Sequence, residues 1–540
     1  MHQSKVSALG VLACALTLTA GVSQATTLTR TPYLQSVRGD TALVAFRLDA
    51  NCTPEVHYGT QGALSTVVRS ADSGRIHAVE LKGLTPSTEY TYQVHACGAQ
   101  TATKRFRTAP VEGTRRVHFA AVGDSGTGGE RQRAVARAML ERRPELFLGL
   151  GDNAYEAGTE EEIQNNLFAP LAELVAEVPF YPVAGNHEYV TNQSQPYLDN
   201  MYLPTSPSGG ERYYSFDWGF VHFVGLDSSC ALGLATADRC TLAAQKAWLE
   251  QDLAASQTAW KIVYFHHATW STGAWGSALK MRSEFAPIFE KHGVDLVLTG
   301  HDHHYERTRP MIGDAVAPAG QNGVTYLVVG GGGANLRYIS SKQPEWSVTR
   351  NNKVHGFLDV DVTGGTLLGR LLTPEGEVVD SFTLTKQLPP EEPPRINLIV
   401  EGQRGVAPHQ ALFRAELPSP GVAVRWDFGD GATSEGAEVK HVYAQPGEYT
   451  VTATATTPTG GASSTSTTQI SVSAAGTGGT PTDPGAPNPG DTQPPVASGP
   501  GTSPGTWGDS PSAGCSAIPV GALLPLGALA LAGLLRRRRR

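Results

Sequence analysis

Five short apolar segments between residues 117 and 307 each end in side chains that can bind a metal ion. The segments are rich in β-branched and aromatic residues, which is typical of buried strands. Buried parallel strands bring their carboxyl ends to one edge of a sheet, so residues distant in sequence meet there. The segments and the residues after them are 117–122 before Gly123-Asp124, 146–150 before Gly151-Asp152, 180–184 before Gly185-Asn186-His187, 262–265 before His266-His267, and 294–299 before Gly300-His301-Asp302-His303.

The residue types at these strand ends point to a pair of metal ions. Carboxylate, amide and imidazole ligands together suit hard-to-borderline cations such as iron, zinc or manganese. A glycine before the ligand lets the backbone turn sharply and approach a bound group closely. His301 and His303 are two positions apart, so they are not helical neighbours, and on a loop they can serve two adjacent metals. We therefore expect a binuclear centre where the loops converge.

Around these loops strands alternate with helical stretches, which predicts an α/β domain over residues 115–386. Helices are expected at 131–142, 160–178 and 242–253. The chain has 540 residues, enough for three or four domains of about 150 residues each. Its formal net charge is −8, and a run of five arginines at the C-terminus leaves the rest more acidic still. This balance argues against nucleic acid as a partner.

Two β-rich regions flank the α/β domain. Residues 26–112 contain short, evenly spaced strands separated by turns, the pattern of an antiparallel β-sandwich. Residues 394–473 return to β patterning. Residues 474–514 are rich in Pro, Gly, Ser and Thr and contain few large apolar side chains, so we expect a disordered, extended linker.

Both ends of the chain carry targeting features. Residues 1–25 contain an apolar run and a small-residue cleavage site, which predicts a signal peptide and a mature start at Thr26; the alternative is a buried N-terminal helix. Residues 515–540 comprise Cys515, an apolar run long enough for a membrane helix, and five arginines that favour the cytoplasmic side. The same arginines beside an apolar span are a topology signal rather than a nucleic-acid tail. We expect an exported protein, secreted or held at a bacterial cell surface.

The cysteines agree with export. Apart from the two in the terminal segments, four cysteines remain, and they allow three pairings. An oxidising compartment favours disulfides over thiol catalysis or a cysteine-based metal site. We expect one disulfide inside the first β-region, Cys52–Cys97, and one that closes a loop of the α/β domain, Cys230–Cys240.

The five motifs match, in order and type, those of the calcineurin-like metallophosphoesterase superfamily, and the chain most closely resembles the purple acid phosphatases. This resemblance implies an α/β/β/α-type sandwich for residues 115–386 and a metal-dependent phosphatase. Residues 26–112 resemble the fibronectin type III-like domain that precedes the catalytic domain of purple acid phosphatases. The segment Trp426-Asp427-Phe428-Gly429-Asp430-Gly431 resembles the corresponding part of a PKD domain, which we assign to residues 394–473.

The C-terminal segment resembles the sorting signals of the myxosortase class. That resemblance implies cleavage near Cys515, anchoring there, and loss of the helix. A permanent single-span tail anchor is the alternative. In either case the protein would contact the membrane through residues 515–540, before or after processing.

Carried over residue by residue, the resemblance assigns the metal ligands. The first metal would be held by Asp124, Asp152, Tyr155 and His303, and the second by the bridging Asp152 with Asn186, His266 and His301. His187 would lie just outside the metals, steadying the phosphate or protonating the leaving oxygen. Glu306 and Arg307 would form an ion pair that fixes the ligand loop.

Tyr155 bears on which metals bind. A phenol has a pKa near 10, so it ionises near neutral pH only beside a strongly acidic cation. As a ligand, Tyr155 therefore implies Fe³⁺ in the first site, with Zn²⁺, Fe²⁺ or Mn²⁺ in the second, and a visible colour. The alternative is a packed aromatic side chain beside a di-zinc site.

The chain departs from the plant purple acid phosphatases after the His266 motif. The plant enzymes place further histidines there, whereas residues 268–276 contain none. His267 could take their role, or it could be a solvated or core histidine, in which case protonation of the leaving group would depend on His187.

From these patterns we expect an exported phosphatase that hydrolyses phosphate monoesters by direct attack of a metal-bound hydroxide, with Asp152 and His187 as catalytic residues. A phosphodiesterase or nucleotidase using the same site is the nearest alternative. A non-catalytic surface adhesion protein, whose β-domains bind a partner, is another. The PKD-like domain would be a rigid stalk element or would contact a cell-surface polymer.

Overall fold

The N-terminal region of the computed structural model consists of two antiparallel sheets. The structure describes residues 26–206, 210–235, 240–417, 421–457 and 461–475. One sheet has the order β1-β2-β5, and the other has the order β4-β3-β6-β7, with β8 also paired to β6. The strands are β1 (Leu28–Gln35), β2 (Thr41–Leu48), β3 (Glu55–Thr60), β4 (Thr66–Arg69), β5 (Ile76–Lys82), β6 (Glu89–Ala96), β7 (Ala99–Gln100) and β8 (Lys104–Arg107).

These strands form because apolar and polar residues alternate along them. In β5 and β6 every second residue is buried, as a sheet with one face on a core requires. The expected disulfide Cys52–Cys97 is present, and so is Cys230–Cys240 in the following domain. The region is therefore a two-sheet β structure, and its resemblance to fibronectin type III domains stays a prediction.

The α/β domain is built on two further large sheets. The six-stranded sheet has the order β11-β10-β9-β21-β22-β23, and the seven-stranded sheet has the order β12-β13-β14-β15-β19-β16-β20; β17 and β18 form a small hairpin. The strands are β9 (Arg116–Val122), β10 (Leu146–Gly149), β11 (Phe180–Pro182), β12 (Tyr214–Trp218), β13 (Val221–Gly225), β14 (Trp260–Tyr264), β15 (Leu296–Thr299), β16 (Tyr305–Thr308), β17 (Met311–Ile312), β18 (Ala315–Val316), β19 (Thr325–Val329), β20 (Ser347–Asn351), β21 (Phe357–Thr363), β22 (Thr366–Leu372) and β23 (Val378–Thr385).

Helices cover the outer faces of both sheets, and the expected helices at 131–142, 160–178 and 242–253 are all present. The helices are α1 (Glu130–Arg142), α2 (Glu160–Glu162), α3 (Ala169–Glu177), α4 (Asn186–Val190), α5 (Gln195–Leu198), α6 (Ser228–Ala231), α7 (Leu242–Ala255) and α8 (Leu279–Lys291), with a π-helical turn at Ile163–Phe168 and a 3-10 turn at Asn192–Ser194. A capping box between Thr159 and Glu162 begins the second predicted helix.

The central strands are mostly apolar because both of their faces are covered. In β14, Ile262 packs into the core between the two sheets, while Val263 packs into a second core beneath α7 and α8. Across the sheet interface, the rings of Phe119 and Phe223 meet edge to face with centroids 5.2 Å apart. The layers are therefore helix, sheet, sheet, helix, as expected.

The last described region is a smaller β-sandwich with its own core. Its sheets have the orders β24-β26-β29 and β25-β31-β30-β27-β28. Trp426, Phe413 and Tyr443 lie at the centre of that core. The strands are β24 (Asn397–Glu401), β25 (Arg404–Val406), β26 (His409–Glu416), β27 (Ala423–Asp427), β28 (Thr433–Glu435), β29 (Glu438–Tyr443), β30 (Gly447–Thr456) and β31 (Ser463–Ser473).

The N-terminal sheets and the α/β domain share one continuous apolar core. Hydrogen bonds cross the junction from the Tyr92 hydroxyl to the carbonyl oxygen of Ala176 and from the Tyr181 hydroxyl to that of Val37, each at 2.7 Å. Arg30 is fully buried there and lies 3.9 Å over the ring of Phe168. The N-terminal region is thus packed as part of the α/β domain.

The predicted signal peptide (1–25), all but the first two residues of the linker (474–514), and the predicted membrane helix with its arginines (515–540) lie outside the described residues. Among the helices of the described ranges, none combines the length and apolar character needed to cross a membrane.

Candidate metal centre

The predicted ligands lie where strands of both sheets end. Strands β9, β10 and β11 run parallel in one sheet and lead into the loops of Asp124, Asp152 and Asn186. Strands β14 and β15 run parallel in the other sheet and lead into the loops of His266 and His301. Two separate sheets thus direct their carboxyl ends toward the same place.

The first group of side chains consists of Asp124, Tyr155 and His303, all of them buried. The Tyr155 hydroxyl lies 3.2 Å from Asp124 Oδ1 and 3.1 Å from His303 Nε2. His303 Nε2 is also 3.4 Å from Asp124 Oδ1. On its far side, His303 Nδ1 is 2.9 Å from the carbonyl oxygen of Asn335, which places the proton on Nδ1 and leaves Nε2 to act as a ligand.

The second group consists of Asp152, Asn186, His266 and His301. His266 Nε2 lies 3.3 Å from Asp152 Oδ2, 3.1 Å from Asn186 Oδ1 and 3.2 Å from His301 Nδ1. His266 Nδ1 faces the carbonyl oxygen of Leu150 at 3.0 Å, so its Nε2 is also free to act as a ligand.

The two groups adjoin each other. One ligand atom from each of Asp124, Asp152 and His266 lies within 4.8 Å of the other two, and all three residues are buried. Buried carboxylates with hydrogen-bonded imidazoles and one amide form a donor set that fits two cations with a shared carboxylate. The structure therefore brings together all seven residues that the sequence nominated as ligands.

The protein groups alone strongly bias the charges of this cluster. Burial disfavours charge on both Asp152 and His266, but their attraction outweighs it, lowering the pKa of Asp152 and raising the pKa of His266 to about 9. Burial, and then the charge on His266, lowers the pKa of His301 to about 4. A cation must therefore displace the proton of His266, so metal binding should weaken as pH falls.

His187 and His267 lie in different surroundings. His187 is half-buried at the edge of the centre, with its Nε2 3.9 Å from Asp152 Oδ2 and its ring 4.6 Å from that of Tyr155. His267 is buried behind His301, and its Nδ1 is 2.9 Å from the hydroxyl oxygen of Ser228. Burial, followed by the charge of His266, lowers the pKa of His267 well below its ordinary value. The geometry therefore favours His267 as a buried core histidine rather than as a proton donor.

Glu188 is a supporting residue that sequence reasoning missed. Its carboxylate is fully buried and accepts N–H bonds from Asn153 and Ala154 at 2.8 and 2.9 Å and from Gly185 at 2.6 Å. It therefore joins the loop of Asp152 to the next ligand loop. Its place in the run Gly185-Asn186-His187-Glu188 was the available signal, because a Glu three residues after the N-cap residue, here Gly185, often accepts a hydrogen bond from the N-cap N–H.

A glycine run after β19 is a second missed feature. Gly332 N–H donates to the carbonyl oxygen of Gly123 at 3.1 Å, and Ala334 N–H donates to that of Asp124 at 2.9 Å. A Cβ at Gly330 would lie 2.9 Å from Asp124 Oδ2. The signal was another apolar strand that ends in glycine, which repeats the construction of the five ligand segments.

The expected ion pair between Glu306 and Arg307 is wrong. These neighbours lie on β16, where successive side chains point to opposite faces. Glu306 accepts hydrogen bonds from Thr272 N–H at 2.7 Å and from the Ser347 hydroxyl at 2.6 Å. Arg307 makes a two-pronged contact with Asp380, at 2.7 and 3.1 Å. Glu306 and Arg307 therefore both hold the strand that follows the loop of His301 and His303, but through different partners.

Comparison with known proteins agrees with this geometry. Residues 117–305 match the family of calcineurin-like phosphoesterases. They form a calcineurin-like phosphoesterase domain. Residues 391–472 match the PKD domain family, so the C-terminal β-sandwich is a PKD domain.

Two relatives from Arabidopsis thaliana are purple acid phosphatases by name. Purple acid phosphatase 21 is 29% identical over 320 residues, 52% of this chain and 69% of that protein. "Probable inactive purple acid phosphatase 1" is 27% identical over 377 residues, 60% of each chain. The solved purple acid phosphatase of yellow lupin superposes with a TM-score of 0.58 at 20% identity, covering 67% of this chain and 74% of its own, which shows a shared fold.

The family and the buried ligand cluster together indicate a phosphatase with a binuclear metal centre, acting on a phosphate ester.

Proposed function

We propose that this protein is an exported binuclear metallophosphatase that hydrolyses phosphate monoesters. The observation that carries the proposal is the meeting of five loops from two sheets, with ligand atoms of Asp124, Asp152 and His266 within 4.8 Å of one another. All three residues are buried, and carboxylates together with an imidazole at this spacing are a donor set that suits iron, zinc or manganese.

The ligand sets follow the two groups of side chains. Asp124, Tyr155 and His303 would hold the first metal, and Asn186, His266 and His301 would hold the second, with Asp152 shared between them. When bound, two such cations supply Lewis acidity toward water and phosphate oxygens.

Tyr155 supports iron in the first site. Burial, and then the charge on Asp124, raises the pKa of Tyr155 well above its ordinary value. The protein groups around this phenol thus oppose its ionisation, and only a strongly acidic cation such as Fe³⁺ would overcome them. A di-zinc centre would leave the phenol neutral and the protein colourless.

His187 has the geometry of a proton donor to the leaving alcohol. Its Nδ1 faces the carbonyl oxygen of Glu156 at 2.5 Å, so that nitrogen carries a proton and donates it there. Nε2 of His187 faces the centre, and in the imidazolium form it can pass its proton to the oxygen of the leaving alcohol. The edge-on ring of Tyr155 restricts the orientation of the imidazole.

Export is supported by the signal-like residues 1–25 and by the two disulfides, which persist in oxidising compartments. Residues 515–540 would attach the protein to the membrane, or to the cell surface after cleavage near Cys515. The PKD domain would then serve as a stalk element or contact a surface polymer.

The proposal is tested by hydrolysis of 4-nitrophenyl phosphate and bis(4-nitrophenyl) phosphate, with metal content and visible spectrum recorded on the same sample. We expect faster turnover of the monoester, about two metals per chain and a phenolate-to-iron absorption band. Faster diester turnover would replace the monoester assignment. No hydrolysis with iron, zinc or manganese, together with chelator-resistant binding to cell surfaces, would favour an adhesion protein.

Asp152→Asn is the sharpest variant for this site. It removes the charge that both metals would share, so we expect kcat/KM for the aryl phosphate to fall by more than about 100-fold, since even residues that only support ligands cost about 10–100-fold. Circular dichroism should stay unchanged. Asp314→Asn, an exposed aspartate of the same domain, is the matched control. Near-normal turnover by Asp152→Asn would exclude the shared ligand.

A further inference from the structure

A cleft of about 450 Å³ opens directly beside the proposed metal centre. Tyr155, His187 and His303 form the wall that it shares with the centre, and Arg131 and Arg337 lie along its other sides. Its volume is within the range of pockets that hold small organic ligands, about 300–1,000 Å³. The cleft is therefore larger than one phosphate group requires and leaves room for the rest of a substrate.

The two arginines of this cleft are not neutralised by carboxylates. Within the described ranges, neither Arg131 nor Arg337 forms an ion pair. Neither acidic residue that lines the cleft pairs with these arginines: Glu130 pairs with Arg137 at 2.6 Å, and the Glu156 side chain is 88% exposed, with its carboxylate 3.9 Å from Nδ1 of His187 on the cleft wall. Two guanidinium groups thus face the cleft with unused hydrogen-bond donors.

Both arginines are held in position by neutral groups. Arg131 Nη1 donates to the side-chain oxygen of Asn335 at 2.8 Å. The Arg337 guanidinium lies 5.2 Å from the ring centroid of Trp275, and the backbone N–H of Arg337 donates to the carbonyl oxygen of His303 at 3.0 Å. These contacts orient the guanidinium groups without cancelling their charge, which preorganises them for an anion.

The net charge of the chain bears on which substrates the two arginines would favour. With a net charge of −8, the protein as a whole repels anions. The proposed metals would attract the phosphate that is cleaved. That attraction does not require two further cationic side chains that are not metal ligands. Arginine forks match phosphate oxygens in geometry and give strong charge-assisted hydrogen bonds.

We propose that Arg131 and Arg337 form a subsite for a second phosphate group carried by the leaving-group side of the substrate. The preferred substrates are then phosphate monoesters of an alcohol that bears another phosphate, rather than simple alkyl phosphates. This inference rests on the proposed phosphatase function and specifies the substrate class of the same site.

The test compares three synthetic substrates with the same four-carbon chain: butane-1,4-diol bisphosphate, 4-phosphooxybutanoate and 4-hydroxybutyl phosphate. The metal-loaded protein should show a kcat/KM at least about 10-fold higher for the bisphosphate than for the hydroxybutyl ester, mainly through KM, since charge-assisted contacts are worth that much. The two equivalent phosphates of the bisphosphate account for only a factor of about two. The carboxylate substrate shows whether any anion suffices.

Arg131→Gln and Arg337→Gln should each lower the ratio of kcat/KM for the bisphosphate to kcat/KM for the hydroxybutyl ester. We expect a fall of about 10-fold, or down to the statistical factor of about two where that limit is reached first. Arg131→Lys should retain part of the preference. Arg131 touches no proposed ligand, so its result separates substrate recognition from metal loss, and metal content is measured for every variant. Arg309→Gln, an exposed arginine outside the cleft, controls for the change in net charge and should leave the ratio unaltered.

A wild-type ratio of about two or less would overturn the subsite, as would a high ratio that both glutamine variants retain. A carboxylate substrate equal to the bisphosphate would broaden the subsite to anions in general and reject its phosphate specificity. These outcomes differ from failure of the proposed function, in which none of the three substrates and no aryl phosphate is hydrolysed with any metal.

Discussion

Three of the proposed ligands have backbone conformations that side chains rarely adopt. Asp124, Asp152 and His301 have φ angles of 57°, 50° and 70°, in the left-handed region. Aspartate and histidine tolerate that region better than β-branched residues, yet each such residue costs on the order of 1 kcal/mol or more. All three stand at strand ends in the centre, so the strain is concentrated where side chains must turn toward a shared point.

A histidine distant from the centre makes a pH-dependent contribution to stability. His222 lies between Asp217 and Asp252, with Nδ1 2.6 Å and Nε2 2.9 Å from their carboxylates. Burial alone would lower its pKa, but the two carboxylates outweigh burial and raise the pKa of His222 to about 9. Because the folded-state pKa exceeds the unfolded value near 6.5, this stabilisation is complete below pH 6.5 and is lost as pH rises through about 9.

His222→Gln should therefore lower the free energy of unfolding more at about pH 6 than at about pH 9.5, by about 1–3 kcal/mol. This difference in free energy is smaller than the value that corresponds to the full pKa shift, because Asp217 is 48% exposed and its charge is partly screened by solvent. Urea unfolding at the two pH values measures it. Equal losses at both would show that the histidine contributes only packing.

At the scale of elements, the centre depends on strands whose ends approach closely. The loop after β11 contacts the loop after β10 so tightly that a Cβ at Gly185 would lie 2.1 Å from Asp152 Oδ1 and 2.3 Å from its backbone nitrogen. A different rotamer cannot relieve the second contact, so the backbone itself would have to move. Glycine at this position is a requirement of the approach between two loops.

Gly185→Ala should weaken metal binding by at least about 10-fold, because it displaces the shared carboxylate. The measurement is metal content after dialysis against a weak chelator. Gly210→Ala is the matched control, since a Cβ there meets nothing closer than 4.0 Å. Full metal content in Gly185→Ala would show that the two loops can move apart without weakening metal binding.

For the whole molecule, the division into cooperative units follows the apolar cores rather than the sequence patterns. The N-terminal sheets and the phosphoesterase domain share one core, whereas the PKD domain has its own. We expect residues 26–386 to unfold together and the PKD domain to unfold in a separate transition, since a cooperative unit needs a continuous core.

Paired variants test this division by calorimetry. Tyr92→Phe removes the hydrogen bond to Ala176 across the shared core, and Tyr449→Phe removes one to Gln445 inside the PKD domain, at 2.7 and 2.8 Å. Each should cost about 1 kcal/mol and lower only its own transition, by roughly 2 °C or less for the larger unit. If Tyr92→Phe shifted a transition confined to the N-terminal region, the two regions would be independent units.

The two expected disulfide pairs are confirmed, although four cysteines allow three pairings. The sequence by itself determined the types and order of the proposed ligands and the alternation of helices and strands. These follow from local patterns: a buried strand is visible in its own residues, and its end predicts where a ligand will stand.

Only the tertiary structure decided that Glu188 joins the loops of Asp152 and Asn186, that Arg307 pairs with Asp380, that His267 is a core residue, and that Arg131 and Arg337 share a cleft. The residues in these contacts come from strands and loops up to about two hundred positions apart. Such contacts depend on the order of strands within two sheets and on how the sheets face each other, and no local pattern encodes that order.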